Sequence, residues 1–256
     1  LRDLGKLAEA ESYLLKAIEL NPDFEVNHYN LGTILKDLGR SDESEKSLRK
    51  AIEIKPDFLE AYLNLSLIEL RKGNYNSGFK HYEYRFKVNK PYILHSKIKI
   101  ERKDNKNFKK NEKLLVVSEQ GLGDTIQFMR YIPHLQKQEI DISFCAQKEL
   151  HTLIKASDID PNPLTPHKAS QISDGKYIPL LSVPRYLKVS FKNPVFSNPY
   201  IFSTDELKKK WKNILSKEER PIIGINWQGN PKAEKNAQKG RSLPLETFSN
   251  IIKNNN

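Results

Sequence analysis

One cysteine and one methionine stand among 256 residues. A single Cys145 excludes an internal disulfide, and its place in the apolar run Ile140 to Ala146 marks a buried, inert thiol. The six histidines are far apart, and no pair has metal-ligand spacing, so no metal is expected. No other cofactor is expected either. No apolar stretch approaches the roughly 20 residues that span a bilayer, and no signal peptide is visible. A cytoplasmic protein without an integral membrane segment is the expectation. Acidic residues are outnumbered, 32 to 43, for a net charge of +11. The lysines are scattered over faces expected to be solvated. No recognition helix, RNA-binding aromatic motif or zinc-finger spacing accompanies them, so nucleic acid is not expected as a partner.

What is present begins with a period. Leu4-Gly5, Leu38-Gly39 and Lys72-Gly73 recur every 34 residues, as do Ala17-Ile18 and Ala51-Ile52, and Asn21-Pro-Asp-Phe24 and Lys55-Pro-Asp-Phe58. This pattern resembles the tetratricopeptide repeat, an α-solenoid of helix pairs. Small residues (Ala10, Ala17, Gly32, Ser66) let helices approach closely, while Leu31, Leu35, Leu48 and Ile52 supply an apolar stripe at helical spacing. Pro22 and Pro56 end each second helix, and Gly39 and Gly73 sit in the turns between paired helices. The third unit degenerates into Tyr82-Glu-Tyr-Arg-Phe86, with aromatics in place of the alanines, expected to pack the last helix against the next part of the chain. The repeats are expected over 1–90, with a concave face that suits a protein partner. A spacer or a dimer interface is the alternative. Residues 91–112, rich in lysine, read as a solvated basic linker.

From 113 to 218 the pattern turns to α/β. Lys113 to Ser118 reads as a strand buried on both faces. Gly121 and Gly123 come next, where glycine allows positive φ and lets the backbone approach a ligand. Asp124 is expected as the N-cap of a helix running to about Gln136, with Gln127 completing a capping box and Pro133 kinking or shortening the helix. The third glycine of a dinucleotide fingerprint is missing, as is the Gly-Lys-Ser/Thr of a phosphate loop. Asp124 therefore has two readings: a helix cap, or a carboxylate at a site mouth that takes a proton from a hydroxyl. Further strands are expected at Ile140–Ala146 and Tyr177–Leu181, and helices at Leu150–Ala156 and from Ser203-Thr-Asp-Glu206 to about Leu215, with Trp211 in the core. Pro221–Trp227 reads as a buried strand leading to Gly229, Asn230 and a polar loop, with Arg241 and Ser242 at the start of the next helix. That arrangement suits an anion such as a diphosphate, or is a surface loop with a solvated arginine.

The order of these pieces carries a second resemblance. Repeats, Tyr-Glu-Tyr-Arg-Phe, Glu119-Gln-Gly-Leu-Gly-Asp-Thr-Ile-Gln-Phe-x-Arg-Tyr131, Pro179-Leu-Leu-Ser-Val-Pro184, and Gly224-Ile-Asn-Trp-Gln-Gly-Asn-Pro231 with Arg241-Ser-Leu-Pro244 are similar to bacterial repeat-containing glycosyltransferases related to the lipopolysaccharide heptosyltransferases. The resemblance implies a GT-B architecture, with two Rossmann-like domains facing each other across a cleft. The acceptor-side domain would span 113–218, and 219–256 would begin the donor side. It implies sugar transfer from a nucleotide-sugar donor to a glycan or protein acceptor, in which a metal need not take part. Asp124 would be the catalytic base, and Arg241 would contact the donor phosphates. Gly121, Gly123, Gln127, Gly229, Asn230 and Ser242 complete the candidate substrate-binding set.

The chain begins inside a repeat and ends one helix into the donor side, with roughly half the length that two Rossmann-like domains need. It is therefore expected to be a piece of a longer transferase, inactive by itself. The alternative is a protein-binding repeat module carrying an inactive transferase-like domain.

Overall fold

The computed structural model describes residues 1–104, 107–195, 198–219 and 222. The chain divides into two units, Leu1–Ser203 and Thr204–Asn256. The first opens with five helices: α1 (Leu7–Leu20), α2 (Glu25–Asp37), α3 (Ser41–Ile54), α4 (Leu59–Arg71) and α5 (Tyr75–Tyr82), extended by a 3-10 turn over Glu83–Phe86. The repeat period is written in their turns. At the end of α2, Gly39 has φ 79°, its N–H donates to Lys36 O, and the Arg40 N–H reaches back to Leu35 O. Gly73 ends α4 in the same way: it has φ 81°, its N–H donates to Leu70 O, and the Asn74 N–H donates to Glu69 O. This Schellman closure needs a left-handed residue, which an L side chain adopts only with strain.

Inside the helix pairs, small residues set the approach. A Cβ on Gly32 would lie 2.7 Å from Leu48 Cγ, and the Ser44 hydroxyl donates to Gly32 O at 2.5 Å. Leu48 is fully buried with Ala51, Ala61, Leu65 and Ile68. Gly32→Ala should therefore cost about 1–3 kcal/mol through overpacking, read as a lower urea midpoint of the full chain.

Among the described residues, the α/β part has a three-stranded parallel sheet in the order β2-β1-β3, with β1 Lys113–Val117, β2 Asp141–Cys145 and β3 Lys176–Pro179. Val116 is paired with Phe144 on one side and Ile178 on the other. Successive side chains point to opposite faces, and both faces of β1 are covered. Leu114 and Val116 face Met129, Ile132, Leu135 and Ile154; Leu115 and Val117 face the opposite core. The expected two-sided burial of β1 is met. Cys145 is fully buried there, and burial pushes its thiol up to about 12, which leaves it inert at neutral pH.

The helix after β1 is broken. It runs as α6 (Leu122–Phe128), a 3-10 turn over Met129–Tyr131, and α7 (Ile132–Gln136). Pro133 sits in the first turn of α7, where its missing N–H costs nothing, and the tightened turn lies just before it. After β2 come α8 (His151–Ala156) and α9 (Pro166–Ala169), and after β3 comes α10 (Val183–Tyr186).

The described residues of this segment, 91–104 and 107–112, are not the solvated connector that its lysines suggested. Leu94, Ile98 and Ile100 pack on the second face of the sheet. Lys103 is 3% exposed and pairs with Glu112 at 2.6 Å, and its carbonyl accepts the Tyr186 hydroxyl. The alternation Lys97-Ile-Lys-Ile100 turns its apolar half inward, as in a half-buried strand.

The second unit is described mainly by α11 (Asp205–Leu215), capped by Thr204 Oγ1, which accepts the Leu207 N–H at 3.2 Å. Trp211, expected in a core, is 53% exposed. The expected strand Pro221–Trp227 (apart from Ile222) and the candidate residues Gly229, Asn230, Arg241 and Ser242 lie outside the described residues. No described helix is long and apolar enough to cross a membrane.

Candidate functional site

The chain leaves β1 for β2 on one side, then returns to add β3 on the other. The strand order therefore reverses between β1 and β3, and ligands of open α/β sheets settle outside the carboxyl ends at such a point. The segment Ser118–Asp124 leaves β1 there. Its geometry departs from the expected one in a specific way. The left-handed residue is Gln120, with φ 63°, not either glycine. Gly121 is extended (φ −81°, ψ 168°) and is itself the N-cap of α6. Asp124 is thus the third helical residue rather than the cap. The helix starts three residues early because the Gly121 carbonyl already accepts the Thr125 N–H at 3.2 Å.

Asp124 Oδ2 accepts the Gly121 N–H at 3.0 Å, the half of a capping box that a glycine N-cap permits. Among the described residues its other oxygen makes no hydrogen bond, and the side chain is half-buried. The structure therefore leaves Asp124 with both of its sequence readings: one oxygen caps, and one is open. Gln127 is exposed on the same helix, three residues on, so the two share a face. Its expected capping-box role falls away with the shifted start. A Cβ on Gly123 would meet nothing within 4 Å, so the backbone there borders open space. On the β2 side, Thr125 Oγ1 donates to Gln147 Oε1 at 2.8 Å, and Gln147 Nε2 donates to Gln120 O at 3.3 Å.

The reversal point itself is filled from within. Arg85 and Glu119 are both fully buried and form a two-pronged pair, Nε to Oε2 at 3.0 Å and Nη2 to Oε1 at 2.8 Å. Arg85 Nη2 also donates to Ser182 Oγ at 2.8 Å, and its guanidinium lies between the Tyr82 and Phe86 rings, 4.4 and 4.2 Å from their centroids. Glu119 Oε1 further accepts the Leu181 N–H at 3.3 Å. Next to them, Glu83 accepts from Ser182 Oγ at 2.7 Å and pairs with Arg85 and Arg102. Tyr82 OH accepts Gln120 Nε2 at 2.6 Å, and burial pushes its phenol up to about 12. Both motifs stand out in the sequence, but their pairing does not. One signal was available: Arg85 stands 34 residues after Ala51, so a charge occupies a repeat position that elsewhere holds alanine.

Burial opposes ionisation of Glu83, yet Arg85 and Arg102 hold its carboxyl below the usual carboxylate range. A depressed carboxylate contributes stability that is fully present above its unfolded pKa of about 4.3. That stability is lost as pH falls through the lower folded value. The thermal midpoint should therefore drop on acidification below about pH 4, and Glu83→Gln should flatten that dependence in a melting series across the range.

No group of three or more metal-binding side chains occurs among the described residues. The chain does contain an Asp-x-Asp, Asp158-Ile-Asp160, which is not among the candidate residues drawn from the sequence. Asp160 is buried and its Oδ1 accepts the Asn162 N–H at 2.7 Å, so it closes a turn.

Comparison with known proteins gives the class of the first part. Residues 1–24 and 27–58 match the tetratricopeptide repeat, and the chain carries these repeats at its start. No curated protein matches the chain. Among solved structures, MamA is 28% identical over 32% of this chain and 47% of its own, with a TM-score of 0.31. The TPR2B domain of yeast Sti1, solved with pHsp70, is 21% identical over 32% of this chain and 66% of its own, with a TM-score of 0.31. An O-GlcNAc transferase of Thermobaculum terrenum is 16% identical over 56% of this chain and 28% of its own, with a TM-score of 0.32. The chain spans about half the length of the first solved structures it matches.

Proposed function

We propose that the chain is part of a glycosyltransferase of GT-B type in which the sheet forms the acceptor side and 219–256 begins the donor side. The observation that carries this reading is the placement of Asp124. It stands at the carboxyl end of the central parallel strand, with one oxygen fixed by the Gly121 N–H and the other open. In the reaction the acceptor hydroxyl attacks the anomeric carbon of a nucleotide-sugar. Asp124 takes the hydroxyl proton as the new C–O bond forms. The bond from the anomeric carbon to the phosphate oxygen breaks, and the nucleoside diphosphate leaves with the electron pair. Arg241 would balance the charge that develops there, and Gly229, Asn230 and Ser242 would line the donor. Gly123, bordered by open space, lets the acceptor approach the start of α6.

The acceptor is a glycan or a protein, and the repeats are the part that suits a protein partner. They also support the second reading, a protein-binding scaffold whose transferase-like part is inactive. The test is nucleotide-sugar hydrolysis and transfer by the protein expressed from its whole reading frame. Turnover that falls steeply in Asp124→Asn supports the transferase. Partner capture by the repeats together with no turnover of any donor in a broad panel supports the scaffold.

A further inference from the structure

We infer that Arg85 is a positioning residue for the loop that carries Asp124, which makes the last turn of the repeat array a working part of the α/β site. The inference rests on the transferase reading for its catalytic consequence, and on geometry for the rest. Docking the array onto the sheet would need only apolar packing. The structure instead places a fully buried guanidinium in the crevice at the strand reversal and commits two of its nitrogens to Glu119. A planar fork paired with a carboxylate fixes direction as well as distance. Glu119 is the second residue after β1, so its backbone leads directly into the loop.

The next residue is held from the same helical end. Gln120 Nε2 donates to Tyr82 OH at 2.6 Å. Gln120 also adopts φ 63°, a conformation that a non-glycine residue keeps only when its surroundings impose it. That turn presents the Gly121 N–H to Asp124 Oδ2. The line of contact is continuous: Arg85 and Tyr82 hold Glu119 and Gln120, these set the Gly121 amide, and that amide orients the carboxylate. Arg85 itself touches no reacting atom and acts through the loop.

A double variant separates positioning from mere support. Removing both buried charges as Arg85→Met/Glu119→Gln leaves no uncompensated ion, because Glu83 keeps Arg102 and Arg185, so the fold should be retained. Hydrogen exchange of the full chain then reads two places at once. The amides of Gly121 and Thr125, which donate to Asp124 Oδ2 and Gly121 O, should exchange at least about tenfold faster, while those of β2 stay within about twofold of wild type. Arg85→Lys, which keeps the charge and loses the fork, should move the same loop amides by a smaller factor. It serves alone should the double variant not fold. Loop protection that stays at the wild-type level, or loop and β2 amides that accelerate together, would overturn the assignment. In the whole-frame protein, the double variant should lower kcat with little change in KM for the donor. Absence of turnover in wild type, with the exchange result intact, would remove the transferase reading and leave the positioning of the loop.

Discussion

Arg85→Met alone will lower the stability of the full chain by about 3–5 kcal/mol, seen as a lower urea midpoint. The substitution leaves Glu119 fully buried without its counter-ion and removes one of the three arginines that pair with Glu83, the others being Arg102 and Arg185. It also removes one of two arginine donors to Ser182 Oγ, leaving Arg102, and the cation between the Tyr82 and Phe86 rings. Methionine has nearly the right length and fits between the rings, so the loss reports charge and hydrogen bonding more than volume. The cost should shrink sharply in Arg85→Met/Glu119→Gln, because a buried pair is expensive to break and cheap to replace as a whole. A double-mutant cycle that shows no coupling between the two positions would mean that the pair does not hold the seam.

That seam is also where the reach of the sequence ended. The repeats were legible because their physics is local: a small residue every 34 positions, a glycine in each turn, a proline after each second helix. The helix boundaries Leu7–Leu20 and Asp205–Leu215 and the apolar core of β1 arise from periodicity in the same way. The Arg85–Glu119 pair is not local, since no pattern within either segment says that the two side chains meet. Only the substitution of a charge at an alanine position hinted that the array ends there against something polar. The covering role of 91–112 was hidden by composition: Ile98 and Ile100 alternate with lysines, and the lysines dominate a reading based on charge. At the candidate site, the identity of Asp124 and its place after a strand were readable. Its hydrogen bond was not, because the helix start depends on whether Gly121 or Asp124 caps, and both residue types are good caps.

The second large expectation concerns Asp124. Asn at this position keeps a side-chain oxygen that can accept the Gly121 N–H, so the fold should lose no more than about 1 kcal/mol. Asn cannot take a proton from the acceptor. If Asp124 is the general base of glycosyl transfer, Asp124→Asn should lower kcat by about 10²–10⁴ while KM for the donor changes little. A residue that only accepted the Gly121 N–H would show the same small stability change and no kinetic one. The most direct measurement is therefore the donor-to-acceptor turnover of the whole-frame protein, wild type against Asp124→Asn, at a pH where carboxylates are ionised. A general base at this position predicts a loss of at least about 100-fold in kcat with the melting temperature nearly unchanged. Full activity in Asp124→Asn would contradict that role and leave the aspartate only as the acceptor of the Gly121 N–H at the start of α6.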